Sequence, residues 1–266
     1  MHSGHAQDQE GPEKRAKTVE NTFLVGLSQQ MASNRAMEVI ASNLANLNTP
    51  AYKREEVQFE QYMVPVQATE AEGGGTVNVS FVLDHGVARD LSAGRVEQTG
   101  SLLDMAIDGP GYFVVQTPEG ERYTRNGHFR FDEQGQVVTD DGYVVQSDGG
   151  AITLQPQDGD LRLGSDGTLS TDLQQVGKLR IVNFTDERAL KKMGSSLYDA
   201  GTQQPTPVAN PRVRQGMIEK SNVEPVLEIS HMIEVMRAYQ ASTDLTKSGE
   251  DLLKQAIEKI GAIPQV

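Results

Sequence analysis

The chain has no cysteine and no tryptophan, and aromatic residues make up only 5% of it. Without thiols, neither a disulfide framework nor a thiolate metal site can form. So few aromatics, with 37% hydrophobic residues overall, argue against one dense core along all 266 residues. Positive charge is scarce too: 24 Lys and Arg face 37 Asp and Glu, a formal net charge of −13. That balance argues against nucleic acid and against an anionic membrane surface, both of which need basic side chains. No apolar run approaches the roughly 20 residues of a membrane span, so no direct membrane insertion is expected. Near the start, Phe23-Leu24-Val25 is the one continuous apolar stretch. It is too short for the ~7–15-residue core of a cleavable secretory signal.

Recognisable chemistry is also missing. The His residues, at 2, 5, 85, 128 and 231, are scattered, and His231-Met232-Ile233-Glu234 is not the His-Glu-x-x-His pattern of a zinc protease. There is no Gly-x-Ser-x-Gly elbow and no phosphate loop ending in Gly-Lys-Ser/Thr. Asp140-Asp141 and several Asp-Gly pairs lack the twelve-residue calcium-loop pattern, and hairpin turns account for them. No catalytic residue, cofactor or metal is expected, and the chain reads as something other than an enzyme.

What is present lies in two helical segments and a turn-rich middle. Residues 1–18 are polar and aperiodic and read as a disordered extension. A helix is predicted over 19–50, with Asn21 or Thr22 as cap and Met37, Ile40, Leu44 and Leu47 along one stripe. Asn48-Thr49-Pro50 stops it, because proline lacks the N–H and disfavours helix in the residue before it. A second helix is predicted over 225–266, opened by Pro225, with Asn222 or Ser221 nearby as caps. Its series Ile229, Met232, Met236, Tyr239, Thr243, Thr246, Glu250, Leu253, Ile257, Ile260 steps alternately by 3 and 4. Such a heptad repeat is the period of a supercoiling seam.

Between the helices, 21 of the 26 glycines lie from Gly73 to Gly216. Many follow Asp or Asn, as in Asp108-Gly109, Asn126-Gly127 and Asp141-Gly142, the dipeptides that supply the positive φ of tight hairpins. Short β-prone runs such as Tyr112-Phe113-Val114-Val115 alternate with them. The predicted order is an extended connector over 51–79, an antiparallel β domain over 80–200 and a proline-stiffened linker over 201–224. The fold class is α+β: long N- and C-terminal helices forming a coiled-coil-like pair, with the antiparallel β domain inserted between them.

Three blocks carry a resemblance. The first is Asn43-Leu44-Ala45-Asn46-Leu47-Asn48-Thr49 followed by Tyr52-Lys53. The second is Thr99-Gly100-Ser101-Leu102-Leu103-Asp104 through Tyr112-Phe113, with Tyr123-Thr124-Arg125-Asn126-Gly127. The third is Gly216-Met217-Ile218-Glu219-Lys220-Ser221-Asn222-Val223, then Glu234-Val235-Met236-Arg237-Ala238-Tyr239-Gln240. In this order, over about 20–260, they resemble the bacterial flagellar basal-body rod and hook proteins. The length, Glu20-Asn21-Thr22 and Leu27-Ser28-Gln29-Gln30-Met31 resemble proximal-rod members most; distal-rod and hook members are the near alternatives. Ala51 departs from the glycine common in the family; if φ is positive there, it carries roughly 1 kcal/mol of strain.

The resemblance implies a structural axial subunit of the rod in the periplasmic space, exported by the flagellar type III apparatus without a cleavable signal peptide. It also implies self-assembly with copies of itself and other rod subunits into a tubular drive shaft that transmits torque. Candidate assembly residues are Met37, Ile40, Leu44 and Leu47 facing Met232, Met236, Tyr239, Leu253 and Ile257. Asn43, Asn46 and Asn48 are expected to satisfy backbone groups at the helix end. The alternative of a different class is a secreted binding module acting through its β domain. A start at Val19 would place residues 1–18 outside the native protein.

Overall fold

The computed structural model describes residues 12–68, 75–155, 158–194 and 196–261. The chain divides into two compact units. One gathers the residues up to Ser42, Glu56–Ala88 and those from Val226 onward; the other comprises Asn43–Glu55 and Arg89–Pro225.

The first unit holds the two α-helices of the described residues, α1 (Pro12–Ala45) and α2 (Pro225–Gly261). Helix α1 already includes residues 12–18, which the sequence reading assigned to a disordered extension; residues 1–11 lie outside the described residues. Strands Glu55–Ala68 and Gly75–Arg89 pair as a two-stranded sheet where a connector was expected. Arg35 Nε of α1 pairs with Asp84 Oδ2 of the second strand at 3.3 Å. Pro65 disguised the first strand, since proline donates nothing to a ladder; a two-stranded sheet has free edges that tolerate it.

The expected coiled-coil-like helix pair is not what forms. The shielded positions of α2 are Glu228, Met232, Val235, Tyr239, Ser242, Thr246 and Gly249, mostly small or polar. Of the apolar series, Met232, Tyr239 and Thr246 are shielded but Ile229 stays 48% and Met236 47% exposed, so it is no continuous buried seam. Apolar periodicity locates an apolar face of a helix. Which face the same chain covers depends on how closely the backbones approach. The α+β class stands, with a large multi-sheet β region as its main part.

That β region is the second unit. Its largest sheet has ten strands and runs from Lys191–Met193 through Leu197–Asp199, Gly120–Thr124, Tyr112–Thr117, Val144–Ser147 and Val137–Thr139 to Phe129–Phe131. Ile181–Asn183 pairs with Tyr112–Thr117 on one side and Thr206–Pro207 on the other. Smaller antiparallel sheets join Arg162–Leu163, Thr168–Ser170 and Gln175–Lys178, then Val213–Gln215 with Met105–Ile107, and Met217–Glu219 with Val96–Gln98. Residues 201–224, expected as a linker, therefore contribute three strands. Pro207 lies opposite Val182, on a strand with a single neighbour. Proline is at home on such an edge.

The unbroken apolar run at Tyr112–Val115 has a simple cause. Side chains alternate across a strand. Phe113 and Val115 enter one core with Met105, Phe129, Val145 and Leu169. Tyr112 and Val114 enter a second with Tyr123, Phe184, Leu190 and Tyr198. Each fully buried Phe or Val contributes about 1.5–3 kcal/mol. Asn126-Gly127 is not the positive-φ turn its dipeptide suggested, for Gly127 is absent from the positive-φ glycines. An added Cβ there would stand 1.6 Å from the Met105 carbonyl oxygen, so the glycine serves close backbone approach.

Candidate functional site

Three distant segments of the β unit converge on the carboxylate of Glu219. Lys53 Nζ donates to Oε1 at 2.6 Å and Arg125 Nε to Oε2 at 2.9 Å. The Gly94 N–H donates to Oε1 at 3.0 Å. The cations are anchored in turn: Lys53 Nζ to the Ser92 carbonyl at 2.7 Å, Arg125 to the carbonyls of Gly111 and Gly109 at 2.8 and 3.0 Å. All three side chains are buried. Burial opposes the charge of Glu219, but Arg125 and Lys53 outweigh it and hold the carboxyl below the ordinary glutamate range. Burial also pushes the Lys53 ammonium below its ordinary value, against the pull of Glu219. Two cations share one carboxylate, and the lysine bears the imbalance.

The backbone around this cluster is equally committed. The Ala51 N–H donates to the Glu219 carbonyl at 2.8 Å. Asn222 Oδ1 accepts from Arg54 N–H at 2.6 Å, while its Nδ2 donates to the Asp90 carbonyl at 2.9 Å. Asn222 is thus engaged inside the β unit and not as the expected cap of α2. Tyr52, also buried, has Lys192 Nζ 4.3 Å from its ring centre.

Asn43 is fully buried. Its Nδ2 donates to the Glu55 carbonyl at 2.7 Å and its Oδ1 accepts from the Glu55 N–H at 3.0 Å. The amide closes the chain back on itself just after α1. Asn46 Oδ1 accepts from Thr49 Oγ1 at 3.0 Å, and Asn48 is exposed. Helix α1 ends at Ala45, short of the expected stop, and bonds such as Leu47 N–H to Leu44 carbonyl carry a tighter turn to Pro50.

The other candidate residues divide by exposure. Ile40 is buried; Met37, Leu44 and Leu47 are half-buried. On α2, Met232 and Tyr239 are half-buried and Met236 is exposed. The side chains of Leu253 and Ile257 lie outside the described residues. Among the described residues, hydrogen bonds outside these twelve join the two helices. They run from Ser242 Oγ to the Gly26 carbonyl at 2.8 Å and from Gln30 Nε2 to Thr246 Oγ1 at 3.3 Å. Sequence reading missed Gly26 and Ser242, although Gln30 and Ser33 visibly interrupt the apolar stripe of α1. It had Lys53, Arg125 and Glu219 only as members of the three blocks, with no spacing to connect them.

Outward on α2 stand Val226, Leu227, Ile229, Ile233, Met236, Leu245 and Leu252, all at least 46% exposed. Val226, Ile229, Ile233 and Met236 fall on one side of the helix, and an exposed apolar row of this kind marks an interaction surface. A β unit closed by a buried ionic cluster, with helices that turn large apolar side chains outward, defines a structural subunit made to be packed against.

Comparison with known proteins agrees. Residues 23–53 match the family described as flagella basal body rod protein, 106–171 the flagellar hook protein FlgE/F/G D1 domain, and 214–259 the flagellar basal body rod FlgEFG protein C-terminal. The chain is 38% identical over 248 residues to the flagellar basal-body rod protein FlgF of Caulobacter vibrioides, covering 92% of this chain and 100% of that one. It is 33% identical to FlgF of Mesorhizobium japonicum, covering 92% and 99%. It is 30% identical to the flagellar basal-body rod protein FlgG of Bacillus subtilis, covering 87% and 96%. The chain belongs to the flagellar basal-body rod protein family. It is a structural rod subunit of the flagellar basal body and assembles with other rod subunits.

Proposed function

We propose that this subunit builds the proximal part of the rod, in the periplasmic space, after export through the flagellar type III apparatus. It packs there against copies of itself and other rod subunits through the outward faces of its terminal helices, forming a tubular shaft that transmits torque. It works by packing and not by catalysis. The observation that carries this reading is the exposed apolar face of α2. The higher identity to the two FlgF chains than to FlgG supports the proximal position. Met236 belongs to that face, and the half-buried Met232 and Tyr239 of the same helix border it. Removal of residues 229–260 is expected to abolish incorporation into rods while the β unit still folds. Imaging of rods with a tagged subunit tests its position: a tag in the distal rod or hook, or normal rods from the truncated chain, overturns the reading.

A further inference from the structure

We propose that Gly26 is the positioning residue that decides which face of α2 is covered by α1, and so which face is left for neighbouring subunits. Two rotations of α2 compete. The apolar series and the shielded stripe share Met232, Tyr239 and Thr246; they differ in placing either Ile229 and Met236 or Glu228, Val235 and Ser242 beside that shared column. The two flanking columns are one residue, about 100°, apart on the helix. Burial alone favours covering Ile229 and Met236. The structure covers Glu228, Val235 and Ser242 instead, so a specific contact must outweigh burial.

Gly26 supplies that contact. A Cβ added to it would meet Thr246 Oγ1 at 2.6 Å, so no residue with a side chain fits this approach undisturbed. Because the backbone of α1 comes so near, Ser242 Oγ reaches the Gly26 carbonyl at 2.8 Å, a buried hydrogen bond. Gln30 Nε2 reaches Thr246 Oγ1 at 3.3 Å one helical turn further along α1. Thr246 Oγ1 is itself held by donation to the Ser242 carbonyl at 2.9 Å. Glycine is a poor helix former, and here the gain is a notch that admits two polar side chains. With Ser242 and Thr246 turned into the notch, Ile229, Ile233 and Met236 are turned out.

The test uses the full chain, whose lack of cysteine lets Gln29→Cys and Lys247→Cys, both exposed positions, carry a pair of spin labels. The expected result is one narrow inter-label distance that lengthens and broadens in Gly26→Ala. It returns in Gly26→Ala with Thr246→Ala, which removes the atom the new methyl meets. A role in helix propensity alone gives the opposite sign, since alanine strengthens an isolated helix. An unchanged or sharper distance in Gly26→Ala, no recovery in the double variant, or a broad distance in the parent chain overturns the proposal. The link to assembly rests on the rod reading and is read separately, in cells lacking the native subunit. There, Gly26→Ala is expected to lose flagella and the double variant to regain them. Flagella retained in Gly26→Ala overturn that link. Failure of the unaltered chain to restore flagella overturns the rod reading and leaves the distance result standing.

Discussion

Lys53 and Glu219 are 166 residues apart in the chain and 2.6 Å apart in space, both in the interior of the β unit. Lys53 lies just past the first helix and Glu219 just before the second. Their contact, with Arg125 on the other carboxylate oxygen, joins the segment entering the unit to the segment leaving it. A buried ion pair is weak evidence for net stability, because desolvation offsets much of the attraction. Its consequence is specificity: with one partner gone, the other charge has no water to turn to.

Glu219→Gln is therefore expected to destabilise the β unit by about 3–5 kcal/mol, leaving two buried cations without their carboxylate. Lys53→Met should cost distinctly less, because Glu219 keeps Arg125 and the cluster becomes neutral. Urea unfolding followed by tyrosine near-UV circular dichroism gives both numbers. Equal losses, or a larger one for Lys53→Met, would contradict the imbalance of charge described above.

Acid sensitivity follows from the same carboxyl. Its value is lower folded than unfolded, so between the two the unfolded chain binds more protons and stability rises with pH. The contribution is present above the ordinary glutamate range and disappears as pH falls through the depressed value. Lys53, also lowered, adds a second rise as pH climbs through its folded value towards the ordinary lysine range. Wild type should lose stability steadily below about pH 5, and Glu219→Gln should show a shallower slope. Some slope remains in the variant, since the N–H and hydroxyl of Ser92 hold Asp90 low as well. Parallel acid profiles for the two proteins would exclude Glu219 as a source.

Ala51 has φ +57° and is 1% exposed. A left-handed conformation costs an alanine about 1–2 kcal/mol, and glycine's extra unfolded-state entropy returns about 0.5–1 of that. Ala51→Gly should stabilise the β unit by about 0.5 kcal/mol on these terms. Ala51→Val, β-branched at positive φ, should destabilise it well beyond that. The ranking Gly over Ala over Val in thermal midpoint is the check, and a loss in Ala51→Gly would show that the buried methyl outweighs the strain.

Much of this was legible in the residues. The apolar run at Tyr112–Val115 announces a strand, and burial in two cores explains why it does not alternate. Pro225 marks the start of α2 to the residue. A positive φ at Ala51 could be suspected only from the family resemblance, not from the residues themselves. The ionic cluster was not legible, since Lys53, Arg125 and Glu219 share no spacing and each resembles a surface charge. Nor was the Gly26 notch, where Ser242 reaches the backbone of α1 and Thr246 lies where a Gly26 side chain would stand. Strand Glu55–Ala68 was hidden by Pro65. In each case a long-range contact decides what a local pattern leaves open.

The outward face of α2 separates assembly from folding. Met236 and Ile233 are 47% and 46% exposed, so an aspartate at either position is solvated in the free subunit and should change its stability by no more than about 0.5 kcal/mol. In an assembled rod the same carboxylate would be buried against a neighbour without a partner, where an uncompensated charge costs several kcal/mol. Met236→Asp and Ile233→Asp should thus abolish incorporation into rods with the β unit's thermal transition nearly unmoved. Tyr239→Asp should also block assembly, but Tyr239 is half-buried within its own unit, so some loss of helix pairing is expected with it. Leu173→Asp, at a residue 69% exposed in the β unit, is the control for a charge on an apolar surface position away from the helices. Co-purification with other rod subunits, beside a melting curve for each variant, reads both quantities at once. Normal incorporation of Met236→Asp would show that neighbours meet this subunit elsewhere. A collapse of the β unit's transition would show instead that α2 supports the fold of the unit it was thought to leave alone.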